Sequence, residues 1–76
     1  MPPLPVISGQ QARRAFERLG WRCVRRKGSH MMLVKGGTRV NLAIPDHGEL
    51  DRGTLRALMR RAEVTMAEFV DALQSL

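Results

Sequence analysis

The stretch WRCVRRKGSHMMLVKGGTRVNLAI, residues 21–44, consists of short apolar and β-branched runs broken by glycine and polar residues. Three strands are expected from it: Trp21 to Arg26, His30 to Lys35 and Thr38 to Ile44. Gly36-Gly37 is expected to close a tight hairpin between the second and third, because glycine takes positive φ without steric penalty. In the third run Val40, Leu42 and Ile44 alternate with Arg39, Asn41 and Ala43, so one face packs inward and the other is wetter. The second run does not alternate. Met31, Met32, Leu33 and Val34 are apolar on both faces, which implies that the face away from the helices is also covered, by a partner.

Helical patterns flank this block. Upstream, Ser8-Gly9-Gln10-Gln11 matches a capping box, and Ala12, Ala15, Phe16 and Leu19 recur at helical spacing until Gly20 stops them. Prolines at positions 2, 3 and 5 make residues 1–7 an extended lead-in. Downstream, beyond Pro45-Asp46-His47-Gly48, Thr54 is expected to cap a second helix bearing Leu55, Leu58, Met59 and Ala62. A third opens on the box Thr65-Met66-Ala67-Glu68 and presents Met66, Phe69, Val70 and Leu73 on one side. The order α-β-β-β-α-α describes a single α+β domain over residues 1–76, with a three-stranded antiparallel sheet and helices on one face.

Charge narrows the partners. The chain of 76 residues holds 13 Lys+Arg against 7 Asp+Glu, a net charge of +6. Nine basic and two acidic side chains lie in residues 1–47, against four and five in residues 48–76, so the electrostatic footprint lies in the first two thirds. Eleven of the thirteen cations are arginines, whose planar fork suits phosphate oxygens. A polyanionic partner fits this balance; a solvated basic surface is the plainer alternative. A lone Cys23 excludes an internal disulfide and a CxxC metal pair. The N-terminus lacks the charged start and long apolar core of a signal peptide, and no run approaches a membrane span. A cytoplasmic location is expected, with no cofactor.

His30 and His47 are the residues whose ordinary pKa lies near neutrality. With Cys23 they lack paired ligand spacing, so no metal site is expected. Ser29 and His30 are adjacent, which disfavours a serine–histidine hydrogen bond between them. Acid–base chemistry on RNA asks for less. The linkage carries its own nucleophile, the 2′-hydroxyl, so a protein need only move protons, orient the chain and stabilise negative charge. Arg25, Arg26 and Lys27 precede His30, and Gly28 has no side chain to obstruct a phosphate approaching the backbone. On these residues alone, His30 is read either as catalytic or as an ordinary surface histidine at a strand start. A helix-turn-helix reading of the last two helices is disfavoured, because Glu68 and Asp71 on the final helix would repel DNA phosphates.

The lead-in LPVISG, the Leu19-Gly20-Trp21 step, Arg26-Lys27-Gly28-Ser29-His30, Ile44-Pro45-Asp46-His47 and Gly53-Thr54-Leu55-Arg56 together resemble the HicA (YcfA-like) toxin family, from about Leu4 to Leu73. The resemblance implies a double-stranded-RNA-binding-domain-like fold and a metal-independent endoribonuclease that cleaves mRNA. It implies the toxin half of a type II toxin–antitoxin pair, silenced by a HicB-like antitoxin that also carries any DNA binding. It places the catalytic residue at His30. Arg25, Arg26, Lys27, Gly28 and Ser29 are then the RNA-binding residues, and His47 is a secondary proton-transfer candidate or a loop support. Two departures stand out. Glu63 occupies a position where many relatives have a helix-ending glycine, leaving the following turn open to a different geometry. Asp46 puts a negative charge beside His47, near the expected RNA path. The alternative reading is a non-catalytic RNA-binding module with the same fold.

Overall fold

The computed structural model describes residues 4–75; Met1, Pro2 and Pro3, where the expected lead-in begins, and Leu76 lie outside the described residues. The elements are α1 (Gly9–Arg18), β1 (Arg22–Lys27), β2 (His30–Val34), β3 (Leu42–Pro45), α2 (Arg52–Arg61) and α3 (Met66–Gln74). The strands form an antiparallel sheet in the order β1-β2-β3. The α+β class and the order of elements are those expected.

Each helix is bounded by its own residues. The Ser8 hydroxyl accepts from the Gln11 N–H while the Gln11 side chain accepts from the Ser8 N–H, which satisfies two amides left without partners at a helix start. Thr65 and Glu68 do the same for α3. The second helix starts earlier than expected. Its cap is Asp51, whose carboxylate accepts from the Thr54 N–H at 3.2 Å; Thr54 lies inside the first turn. An ionised carboxylate there also meets the positive end of the helix dipole, which a threonine hydroxyl does not.

The C-termini of α1 and α2 share one geometry. Gly20 and Trp21 donate to the carbonyls of Glu17 and Phe16, and Glu63 and Val64 donate to those of Arg60 and Met59. This Schellman arrangement requires positive φ at its first non-helical residue. Gly20 supplies it at φ 100, and Glu63 adopts it at φ 55. The turn after α2 thus keeps a glycine geometry while holding a glutamate.

The tight hairpin expected at Gly36-Gly37 is found instead in the first strand connection. Its turn is Gly28-Ser29, closed by the pairing of Lys27 with His30. Gly28 has φ 61 and Ser29 has a negative φ, the pattern of a type II′ turn. The β2–β3 connection is a loop over residues 35–41, so β3 begins at Leu42 rather than Thr38 and Gly36-Gly37 is a turn within that loop. Side chains divert the backbone groups a longer strand would have paired. The Thr38 hydroxyl accepts from the Val40 N–H at 3.1 Å, and Arg61 of α2 donates through Nε to the Asn41 carbonyl at 2.8 Å.

Met31 and Leu33 of β2 and Leu42 and Ile44 of β3 point into the core, where Phe16 of α1 meets Phe69 of α3 with ring centroids 5.2 Å apart. Leu55, Leu58 and Met59 bring α2 against the same core beside β3. The lead-in contributes too. Leu4 and Ile7 are buried, and the Ile7 carbonyl accepts from the N–H of buried Leu50 at 2.7 Å. Gly9 lies so close to the end of β3 that a Cβ there would stand 2.0 Å from the Pro45 carbonyl oxygen. Its N–H donates to the His47 carbonyl at 2.8 Å, so the start of α1 is clamped directly onto the segment that follows β3.

Candidate functional site

A β-bulge decides which cations share a face with His30. Cys23 pairs with Leu33 and Arg25 with Met32, leaving Val24 as the extra residue. Cys23 packs toward the core. Uninterrupted alternation from it would have turned Arg25 and Lys27 inward and Arg26 outward. The bulge reverses this. Arg26 stands opposite buried Met31, on the face covered by α1, whereas Arg25 stands opposite Met32 and Lys27 opposite His30, on the outer face. Arg22, opposite Val34, extends the outer column.

His30 is exposed and lies between Lys27 on β1 and Pro45 on β3. Directly opposed side chains in such a sheet start about 5 Å apart, so the Lys27 ammonium and the imidazole reach the same small ligand. Arg25 lies one diagonal step further along. Gly28 is fixed by the turn's need for positive φ, and a Cβ built on it would meet no atom within 4 Å. The approach above the turn is open.

Arg26 is engaged elsewhere. Its Nη2 lies 2.5 Å from Asp46 Oδ2, and Gln10 Nε2 donates to Asp46 Oδ1 at 3.2 Å. These partners, Arg26 first, hold the Asp46 carboxyl below its ordinary pKa, and the nearby His47 acts in the same direction. Asp46 also donates its N–H to the Ser29 carbonyl at 2.7 Å. Ser29 and His47 are therefore structural through their carbonyls, which tie the β1–β2 turn and α1 to the segment after β3. The side chains of both are exposed. Gln10, which sequence reading overlooked, lies over Met31 as well as Asp46, with Nε2 3.5 Å from the Met31 sulfur.

The remaining expectations concern ligands and exposure. Among the described residues no three His, Cys, Asp or Glu side chains come together as metal ligands. No described helix is long and apolar enough to cross a membrane. Burial in β2 does alternate, contrary to its apolar sequence: Met31 and Leu33 are buried, while Met32 and Val34 are only partly covered on the outer face. On α3, Glu68 is drawn into the capping box, which lowers its pKa through the Thr65 hydrogen bonds, and Asp71 is exposed. That helix offers no cationic surface.

Fold and site together define a small basic α+β protein whose sheet sets an exposed imidazole among cations on its outer face. The family model described as the HicA toxin of bacterial toxin–antitoxin matches residues 9–64, and the chain belongs to that family. A chain of a solved toxin–antitoxin complex from Streptococcus pneumoniae is 30% identical to it, with a TM-score of 0.68, over 76% of this chain and 98% of that one. No curated protein matches at a comparable level of significance.

Proposed function

We propose that this HicA-family toxin is a metal-independent endoribonuclease acting on mRNA, with His30 as its proton-transfer group. The observation that carries the reading is the exposed His30 ring paired across the turn with Lys27, with Arg25 on the same face. Lys27 and Arg25 draw the phosphate of a bound chain to the imidazole and offset the charge that builds on its oxygens. Neutral His30 takes the proton of the 2′-hydroxyl as that oxygen bonds to phosphorus. The bond from phosphorus to the 5′-oxygen breaks, and the leaving oxygen takes a proton from the imidazolium or from water. Gly28 leaves the approach open, and Ser29 donates a hydrogen bond or orients the turn. Arg26 acts chiefly by holding Asp46, and His47 by supporting the loop. No metal is required, because the linkage brings its own nucleophile.

A protein partner follows from the same surface. The similar structure is of a toxin–antitoxin complex, and in this chain a HicB-like antitoxin would silence the toxin by covering the outer sheet face. DNA would then be met only through the antitoxin. The test is incubation of the purified protein with RNA in excess EDTA, followed by analysis of product ends. Products ending in a 2′,3′-cyclic phosphate and a 5′-hydroxyl are expected. Cleavage that stops on chelation would assign the protein to the metal nucleases instead.

A further inference from the structure

The outer face continues past His30 into a groove between β3 and α2, and its chemistry differs from that of the cation column. Met32, Ala43, Ala57 and Leu58 give it an apolar floor, and Asn41, Thr54 and Arg61 stand at its rim. The geometry points to this groove as a nucleobase subsite for single-stranded RNA, holding the base of a nucleotide next to the scissile phosphate; the inference rests on the nuclease reading above.

Three observations carry it. The first is position. Met32 lies two residues along β2 from His30 on the same face, about 7 Å in a strand, a step comparable with one nucleotide of extended chain. A phosphate held at Lys27 and His30 therefore delivers its neighbouring base toward Met32, with the backbone lying over the cations of β1. The second is elimination. RNA-binding surfaces commonly stack bases on aromatic rings, yet Phe16, Trp21 and Phe69, the only Phe, Trp or Tyr residues of the chain, are all buried in the core, and the exposed His30 ring is committed to the scissile phosphate. A neighbouring base on this face therefore meets a dry surface without a ring, which the polarizable Met32 thioether with its alanine and leucine neighbours provides.

The third is the construction of the rim. Arg61 Nε donates to the Asn41 carbonyl at 2.8 Å, which locks the loop carrying Asn41 to α2 and leaves the exposed Asn41 amide beside the groove. A carboxamide offers a donor and an acceptor together, the pair that reads the edge of adenine. Arg61 retains its terminal nitrogens for stacking or for a second phosphate.

The test uses full-length His30→Ala protein, which the nuclease reading expects to bind RNA with cleavage suppressed, and a series of short oligoribonucleotides in which one abasic residue is walked along the chain. One position is expected to weaken binding about two- to tenfold when its base is removed. Asn41→Ala and Ala57→Glu should weaken binding of the intact oligomer similarly while abolishing the difference between intact and abasic forms. The Met32 methyl resonance should shift on adding intact RNA. Equal affinity for every abasic oligomer would overturn the groove alone and leave the nuclease reading standing. Absence of all RNA binding would remove both. A Met32 shift on adding a protein partner but none with RNA would give the groove to that partner and overturn the subsite.

Discussion

The bulge at Val24 makes a quantitative claim about which charges meet RNA. Among the described residues neither Arg25 nor Lys27 forms a salt bridge, whereas Arg26 is paired with Asp46. Each unpaired cation that neutralises a phosphate of a single strand steepens the dependence of log affinity on log salt by about 0.7. Between 50 and 200 mM salt that is about 2.6-fold in affinity per contact, or about 0.6 kcal/mol. Arg25→Gln and Lys27→Gln should therefore each reduce the slope by about 0.7, and by about 1.4 together. The neutral pair contributes no net charge. Arg26→Gln with Asp46→Asn should leave the slope unchanged, even though it removes one of three consecutive cations. Fluorescence anisotropy with a labelled oligoribonucleotide, in the His30→Ala background and over a salt series, measures all of these. A slope that falls by about 0.7 in the Arg26/Asp46 double variant and stays constant in Lys27→Gln would refute the assignment of faces.

Three further perturbations test how the site is held. Glu63→Gly should relieve the left-handed backbone, worth about 1–2 kcal/mol, less the added unfolded-state freedom of glycine, for a net gain of about 0.5–1 kcal/mol; a thermal melt should rise by about 2–8 °C, and a fall would contradict the strain. Gly9→Ala must displace backbone at Pro45, since the new Cβ would stand 2.0 Å from its oxygen; a loss of about 2 kcal/mol is expected in urea unfolding even after the better helix propensity of alanine, and an unchanged midpoint would deny the clamp. Asp46 has a depressed folded-state pKa, so its stabilisation is full above the unfolded value of 3.8 and is lost as pH falls through the lower folded value. The stability difference between wild type and Asp46→Asn should accordingly persist down to about pH 4 and shrink below it; a difference that grows as pH falls below about 4 would reverse the sign of the coupling.

Much of the architecture was legible because local rules and tertiary packing agree. Ser8–Gln11 and Thr65–Glu68 announce their helices, and the buried positions Ala12, Ala15, Phe16, Leu42, Ile44 and Phe69 follow helical and strand periods. What escaped was set by interactions between distant residues. The shortening of β3 depends on Arg61 capturing the Asn41 carbonyl from another element. The insertion of Leu4 and Ile7 into the core depends on Leu50, forty-three residues beyond Ile7. The tight turn at Gly28-Ser29 fits a two-residue loop with glycine first, a mark that the sequence carries as plainly as the Gly36-Gly37 pair. The bulge carried no such mark. A run of Arg25, Arg26 and Lys27 looks uniform, and only strand register divides it into two cations facing the histidine and one facing Asp46.

RNA cleavage by wild type and His30→Ala, compared at equal concentration in excess EDTA and with matched thermal melts, is the measurement that bears most directly on the proposed chemistry. Removal of the proton-transfer group should slow cleavage at least about a hundredfold with an unchanged melting temperature. Cleavage by the variant within a few-fold of wild type would contradict it.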